Sequence, residues 1–84
     1  MPKVLNYRVI IEQDEDGIFV ASVPALQGCY TEGDTFEEVL KNAKDVIKLH
    51  IDARKELKKL PDDSHTQFVG VKDVSIPYAT PAYS

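Results

Sequence analysis

Carboxylates are the side chains of this sequence with the clearest potential for chemistry. Glu12 ends a segment with the composition of a β-strand, and Asp73 lies in a later segment of the same kind. On neighbouring strands, with Asp45 or Asp52 of an intervening helix as a third carboxylate, they could hold two metal ions for phosphodiester cleavage. The acidic residues are instead scattered among turns and the helix surface, so we expect no catalytic residue and no metal-binding residue.

The remaining candidate groups also favour structural roles. His50 falls near the apolar side of the helix and His65 in a polar loop, and neither has the spacing of a metal ligand. Cys29 lies in a strand-like segment, where cysteine is usually a small buried apolar residue. Asp14–Asp16 lack the length and the terminal glutamate of a calcium loop. No phosphate-binding or dinucleotide-binding motif occurs, so we expect no cofactor.

Length and composition indicate one small soluble domain in the cytoplasm. The chain has 84 residues, 43% of them hydrophobic and 29% charged, which is ordinary for a folded domain with a thin core. Its net charge of −4 disfavours nucleic-acid binding and suits a partner with a basic surface. The single cysteine excludes an internal disulfide, and no apolar run approaches the length of a membrane span.

Three strands are predicted before a helix. Residues 4–12 alternate with a period of two, Asp14–Gly17 have the residue types of a turn, and Ile18–Val23 are again β-branched and aromatic. Pro24 interrupts this second strand because proline cannot donate to a ladder. Cys29–Glu32 then form a short third strand. We expect a three-stranded antiparallel meander.

A long helix follows the third strand. Thr35 and Glu38 have the spacing of a capping box, and Asp34 with Glu37 is the competing pair. Apolar residues recur every three or four positions up to Ile51, and basic residues gather near the C-terminal end at Lys55, Lys58 and Lys59. We expect about 23 helical residues spanning roughly 35 Å.

Residues 67–76 predict a fourth strand, which completes the order β-β-β-α-β. Right-handed crossover places this strand beside the first and parallel to it, with the one long helix on one face of an α+β fold. We therefore expect residues 1–76 to form a single domain and residues 77–84 an extended C-terminal tail.

The face of the sheet away from the helix is expected to be an interface. A sheet face open to water should be polar, yet both sides of the strands carry apolar residues, such as Ile10 opposed to Ile11 and Val20 opposed to Ala21. An apolar patch of this kind usually marks contact with another subunit or another protein. The alternative is a partly apolar face that the C-terminal tail of the same chain covers.

The sequence resembles the HicB family of antitoxins. The resemblance runs from the first strand through the helix, and its most specific part is Pro24-x-Leu26-x-Gly28-Cys29-x-Thr31-x-Gly33-Asp34-Thr35-x-Glu37-Glu38. It implies a degraded ribonuclease-H-like fold without nuclease carboxylates and homodimers or larger homo-oligomers. It also implies neutralisation of a HicA-type toxin, a small basic ribonuclease that cleaves mRNA, by occlusion of the toxin's active site.

Many HicB relatives carry a further DNA-binding segment. Only residues 77–84 follow the fourth strand here, so direct DNA binding is not expected.

Two functions other than toxin neutralisation remain open. The chain could be an orphan homo-oligomeric scaffold or regulator with a different protein partner. The third alternative is a small metal-dependent nuclease that uses Glu12 and Asp73.

Overall fold

The computed structural model describes residues 4–54 and 60–79. Three strands, β1 (Ile10–Gln13), β2 (Phe19–Ser22) and β3 (Tyr30–Gly33), precede one helix, α1 (Phe36–Arg54). The strands form one antiparallel sheet in the order β1-β2-β3. The α+β class, the meander and the single helix are thereby confirmed. The predicted helical end at Lys55, Lys58 and Lys59 lies outside the described residues, as do residues 80–84 of the predicted tail.

The β1–β2 turn is built around the side chain of Asp14. Its Oδ1 accepts hydrogen bonds from the N–H groups of Asp16 at 2.9 Å and Ile18 at 3.0 Å. Gly17 has a φ of 84°, a conformation that glycine adopts at little cost. The acidic run 14–16 therefore forms a turn, with the first carboxylate occupied by backbone donors.

The core lies between α1 and one face of the sheet, in two clusters. Ala21, Val39 and Ala43 form the first, with Val9, Ile11 and Phe19 packed against it. The second consists of Val23, Leu26 and Cys29, with Tyr7, Val9, Val46 and Ile47 packed around it. Phe19 and Phe36 close one end in an edge-to-face contact at 6.3 Å between ring centroids. The apolar stripe predicted for α1 is thus confirmed at Val39, Ala43, Val46 and Ile47.

The fourth strand predicted over residues 67–76 is not found among the described residues. Residues 67–79, which we call the arm, are extended, exposed and outside every described ladder. The molecule accordingly measures 63 × 28 × 24 Å with a radius of gyration of 17.0 Å, against about 12 Å for a compact chain of this length. The prediction was wrong in this element because periodicity finds a segment suited to a sheet but not its partner.

After α1 the chain does return to the segment that precedes β1. It contacts this segment as a turn rather than as a strand, and on the side of β2 rather than at the outer edge of β1. Asp63 N–H donates to the Asn6 carbonyl at 2.8 Å, and the Arg8 N–H donates to the Asp63 carboxylate at 2.6 Å. Residues 62–66 therefore anchor the start of the arm beside residues 6–8.

The side of this anchor follows from backbone alternation. Tyr7, Val9 and Ile11 all point their side chains into the core, so the segment is extended without a bulge. The Asp14 N–H bonds to the Ile18 carbonyl at 2.9 Å, which in this register makes Glu12–Val20 and Ile10–Ser22 the hydrogen-bonded pairs. Even-numbered residues of the segment thus direct their backbone groups toward the β2 side. The anchor, bonded to Asn6 and Arg8, lies in line with β2, and the outer edge of β1 stays open in the described chain.

Candidate protein-binding surface

The turn between β2 and β3 builds one end of the core. Val23 N–H donates to the Cys29 carbonyl at 2.9 Å, Leu26 N–H to the Val23 carbonyl at 3.0 Å, and Cys29 N–H to the Leu26 carbonyl at 3.1 Å. Gly28 takes a φ of 76°, which lets the chain reverse. These bonds turn Val23, Leu26 and Cys29 inward together. The Pro24–Cys29 part of the sequence motif therefore shapes the core.

The junction of β3 and α1 contains two further motif residues, Gly33 and Thr35, in structural roles. The Thr35 hydroxyl accepts from the Glu38 N–H at 3.0 Å, which confirms Thr35 as the helix N-cap and places Asp34 outside that role. Gly33 sits so close to the helix that an added Cβ would lie 2.7 Å from the Val39 nitrogen. Asn42 donates from Nδ2 to the Glu32 carbonyl at 2.9 Å and ties the helix to β3.

The sheet face away from α1 is mixed in polarity. Opposed pairs in the ladder share a face, so those opposite the core-facing residues are Ile10 with Ser22 and Tyr30, and Glu12 with Val20 and Glu32. Tyr30 is 69% exposed, and both glutamates are exposed. This face, which we call the open face, has an apolar row and an acidic row. The apolar half agrees with the expected interface, and the acidic half restricts the kind of partner.

Acidic residues concentrate at one end of the molecule. Gln13, Phe19 and Gly33 are aligned in the ladder, so the β1–β2 turn, the acidic row and the start of α1 lie together. Residues 9–40 contain eight of the 14 acidic residues and none of the ten basic ones. The acidic residues of this acidic end are Glu12, Asp14, Glu15, Asp16, Glu32, Asp34, Glu37 and Glu38. The net charge alone did not predict this segregation, whose signal in the sequence is the absence of Lys and Arg between Arg8 and Lys41.

The residues considered for nuclease chemistry do not share one element or edge. Glu12 lies on β1, Asp45 and Asp52 are exposed on α1, and Asp73 is exposed on the arm. Because the arm forms no strand beside β1, the neighbouring strands that the nuclease hypothesis requires are missing. Across residues 4–54 and 60–79, no group of three or more His, Cys, Asp and Glu could hold a metal ion. The same residues enclose no pocket.

The nucleophile and histidine candidates have structural positions. Cys29 is 3% exposed within the core, and burial raises the pKa of its thiol, which favours the unreactive protonated form. His50 is half-buried on α1, and His65 is exposed in the turn that precedes the arm. Within the described ranges, no helix is both long and apolar enough to cross a membrane.

Asp62 and Tyr7 are ionisable groups with shifted pKa values at the anchor. Hydrogen bonds from the Ser64 hydroxyl and the Asn6 N–H lower the pKa of Asp62. Burial, aided by the negative charge of Asp62, raises the pKa of the Tyr7 phenol. Arg8 adds a pairing with Asp63 at 3.7 Å and places its guanidinium 5.3 Å from the centroid of the Phe68 ring. These contacts fix where the arm leaves the body.

Several proteins are similar to this chain over most of its length. The UPF0150 protein ssr1258 of Synechocystis is 36% identical over 71 residues, which cover 84% of this chain and 94% of that protein. The UPF0150 protein Ta0767 of Thermoplasma acidophilum is 46% identical over 61 residues, which cover 71% and 88%. A UPF0150 protein of Archaeoglobus fulgidus is 35% identical over 72 residues, which cover 86% and 96%. No solved structure gives a significant match.

The family match extends beyond the motif. Residues 7–74 match the family described as "HicB_like antitoxin of bacterial toxin-antitoxin system", from the anchored segment before β1 into the arm. The matched range includes both core clusters, the N-cap and the acidic end. A match over this much of the sequence shows that the chain belongs to the HicB-like antitoxin family.

Proposed function

We propose that this protein neutralises a HicA-type toxin, a basic mRNA-cleaving ribonuclease, by covering the toxin's active site. The observation that carries the proposal is the segregation of charge, with eight acidic and no basic residues in 9–40. A ribonuclease that binds RNA presents positive charge where phosphates bind. The acidic end offers carboxylates to the same surface and so competes with RNA for it.

The geometry of the open face supports contact beyond charge attraction. Glu12 and Glu32 flank Val20 across the three strands, next to the row of Ile10, Ser22 and Tyr30. Charged groups steer encounter, whereas a central apolar or aromatic residue supplies most of the affinity of an interface. Tyr30 is the exposed aromatic residue of this face, so we expect it to contribute most of the affinity for the toxin. The membership of an antitoxin family indicates a non-catalytic role, which agrees with this mode of action.

The test is co-expression with a HicA-type toxin and measurement of growth and of complex formation. Glu12→Lys/Glu32→Lys should abolish rescue of growth and slow association at least about tenfold at low salt. Asp45→Lys/Asp52→Lys on α1 is the matched control, since it makes the same change in net charge at exposed positions. Circular dichroism of both variants checks folding. Rescue that is equal in the two variants would show that the acidic row does not bind the toxin.

The finer features of this function are also proposals. The β-β-β-α order supports a degraded ribonuclease-H-like fold, and the single buried thiol fits a reducing cytoplasm. We propose that residues 1–76 belong to one domain and residues 77–84 to a tail, and that the net charge of −4 disfavours direct DNA binding.

A second candidate, a homo-oligomeric scaffold or regulator with another protein partner, is favoured by the exposed arm. A HicA-type toxin gene beside the gene for this chain would favour the antitoxin. Its absence, together with failure to protect cells from such toxins, would favour the scaffold.

A further inference from the structure

The arm has the composition of a strand but none of the contacts of one. Its large apolar side chains are between 55% and 94% exposed, namely those of Phe68, Val69, Val71, Val74, Ile76 and Tyr78. Fully extended, its 13 residues reach about 43 Å, well beyond the 24–28 Å of the two shorter molecular dimensions. An extended apolar segment of this length is a template for pairing with another chain.

The sheet offers one suitable edge. At β3 the outward carbonyl of Glu32 is already bonded to Asn42, and Gly33 lies against the start of α1. At β1 the hydrogen-bonded pairs Ile10–Ser22 and Glu12–Val20 leave the backbone groups of Ile11 and Gln13 directed outward. No described strand covers them. The outer edge of β1 is therefore the edge of the described sheet that is free to pair with a further strand.

The anchor keeps the arm away from the free edge of its own sheet. Asn6 and Arg8 bond to Asp62 and Asp63 on the β2 side of the first segment, and Phe68 packs against the Arg8 guanidinium. To pair with its own β1, the arm would have to cross residues 6–8 immediately after this point. A second copy can present the same edge without that crossing.

We propose that two copies of this chain exchange arms, each arm pairing as a fourth strand with the outer edge of β1 in the other copy. Donor and acceptor belong to the same chain, so a reciprocal exchange satisfies both at once and closes with two-fold symmetry. The exchange places one face of each arm beside the core, where its apolar side chains can be buried, and pairs the backbone groups of Ile11 and Gln13. The homo-oligomer proposed above thereby acquires a defined contact that is independent of the toxin.

Sedimentation equilibrium of the full chain, with no toxin present, tests the exchange. Wild type should have twice the mass of one chain, and Val74→Lys/Ile76→Lys should raise the dissociation constant at least tenfold. Leu49→Lys, on the exposed side of α1, should leave the dimer intact and is matched in kind, since Leu49 is 67% and Val74 is 73% exposed. A monomeric wild type, or a dimer that is equally stable in the arm variant, would overturn the proposal.

Hydrogen exchange then separates edge pairing from packing on the open face. In the dimer, the amides of Ile11 and Gln13 should exchange at least tenfold more slowly than in the diluted monomer, because they become ladder donors. An arm that packs on the open face would leave these two amides fast, and an arm that folds back onto its own β1 would protect them at every dilution. Either result would refute the exchange.

Discussion

Of the four glycines, Gly33 is the one whose replacement by alanine should destabilise the fold most. A Cβ at Gly33 would lie 2.7 Å from the Val39 nitrogen, 3.0 Å from the Val39 Cα and 3.2 Å from the Glu38 carbonyl carbon. Ordinary contacts between such atoms are about 3.5–4.0 Å. All three atoms belong to the backbone of the first turn of α1, so no side chain can swing away. Gly33→Ala must instead push the start of the helix off β3.

The cost can be estimated from two opposing effects. Overpacking of a close-packed site costs about 1–3 kcal/mol, and removal of a glycine from the unfolded chain returns about 0.4–1 kcal/mol. The net loss for Gly33→Ala therefore lies between about 0 and 2.6 kcal/mol, and the middle of both ranges gives about 1.3 kcal/mol. A domain of this size is stabilised by only about 4–12 kcal/mol, so the loss is easily measured.

Two other glycines provide controls that separate crowding from backbone strain. Gly28 has no atom within 4 Å of an added Cβ but has a φ of 76°, so Gly28→Ala should cost about 0.5–1 kcal/mol through strain alone. Gly70 has open space and no positive φ, so Gly70→Ala should stay within about 0.5 kcal/mol of wild type.

Urea unfolding followed by circular dichroism measures all three variants, at one fixed protein concentration because self-association would shift the midpoint. Equal midpoints for Gly33→Ala and Gly70→Ala would refute the close approach of β3 and α1.

Three further changes examine the helix, its cap and the anchor. Val46→Asp puts a charge against the second core cluster and should cost about 3 kcal/mol in thermal unfolding, whereas Leu49→Asp on the exposed side should cost under about 1 kcal/mol; equal costs would mean that the helical phase is wrong. Thr35→Ala removes the acceptor of the Glu38 N–H and should cost about 1 kcal/mol in urea, with Thr35→Ser close to wild type. Tyr7→Phe removes a buried hydroxyl that has no hydrogen-bond partner within the described residues, so it should stabilise by up to about 1 kcal/mol. Because the folded state raises the pKa of Tyr7, wild type should also lose stability relative to Tyr7→Phe as pH rises above about 10, and parallel pH profiles would contradict this.

Local patterns predicted the parts of the fold that local interactions determine. The β1–β2 hairpin follows from the turn chemistry of Asp14 and Gly17, and the start of α1 from Thr35 and the apolar period after it. β1 and β2 are shorter than predicted, and β1 begins late because residues 4–9 have no ladder partner among the described residues. β3 has its predicted length of four residues, shifted by one position. The arm has strand-like residues as well, but pairing depends on a partner that sequence period does not specify. The closeness of Gly33 to α1 was likewise unreadable, because it depends on the packing of two elements.

The buried motif residues and the proposed binding surface alternate along the same stretch of the sequence. Within residues 23–33, the residues buried in the core are Val23, Leu26, Cys29 and Gly33. Tyr30 and Glu32 are exposed on the open face. The buried and turn-forming residues of the motif specify the fold, so the choice of partner falls to exposed residues such as Glu12, Tyr30 and Glu32. Relatives that keep the Pro24–Glu38 pattern but differ at the positions of Glu12, Tyr30 and Glu32 should therefore share this fold while binding different proteins. A chimera that carries another relative's residues at these three positions, and then protects cells against that relative's toxin, would be the direct demonstration; protection that follows the core residues instead would contradict it.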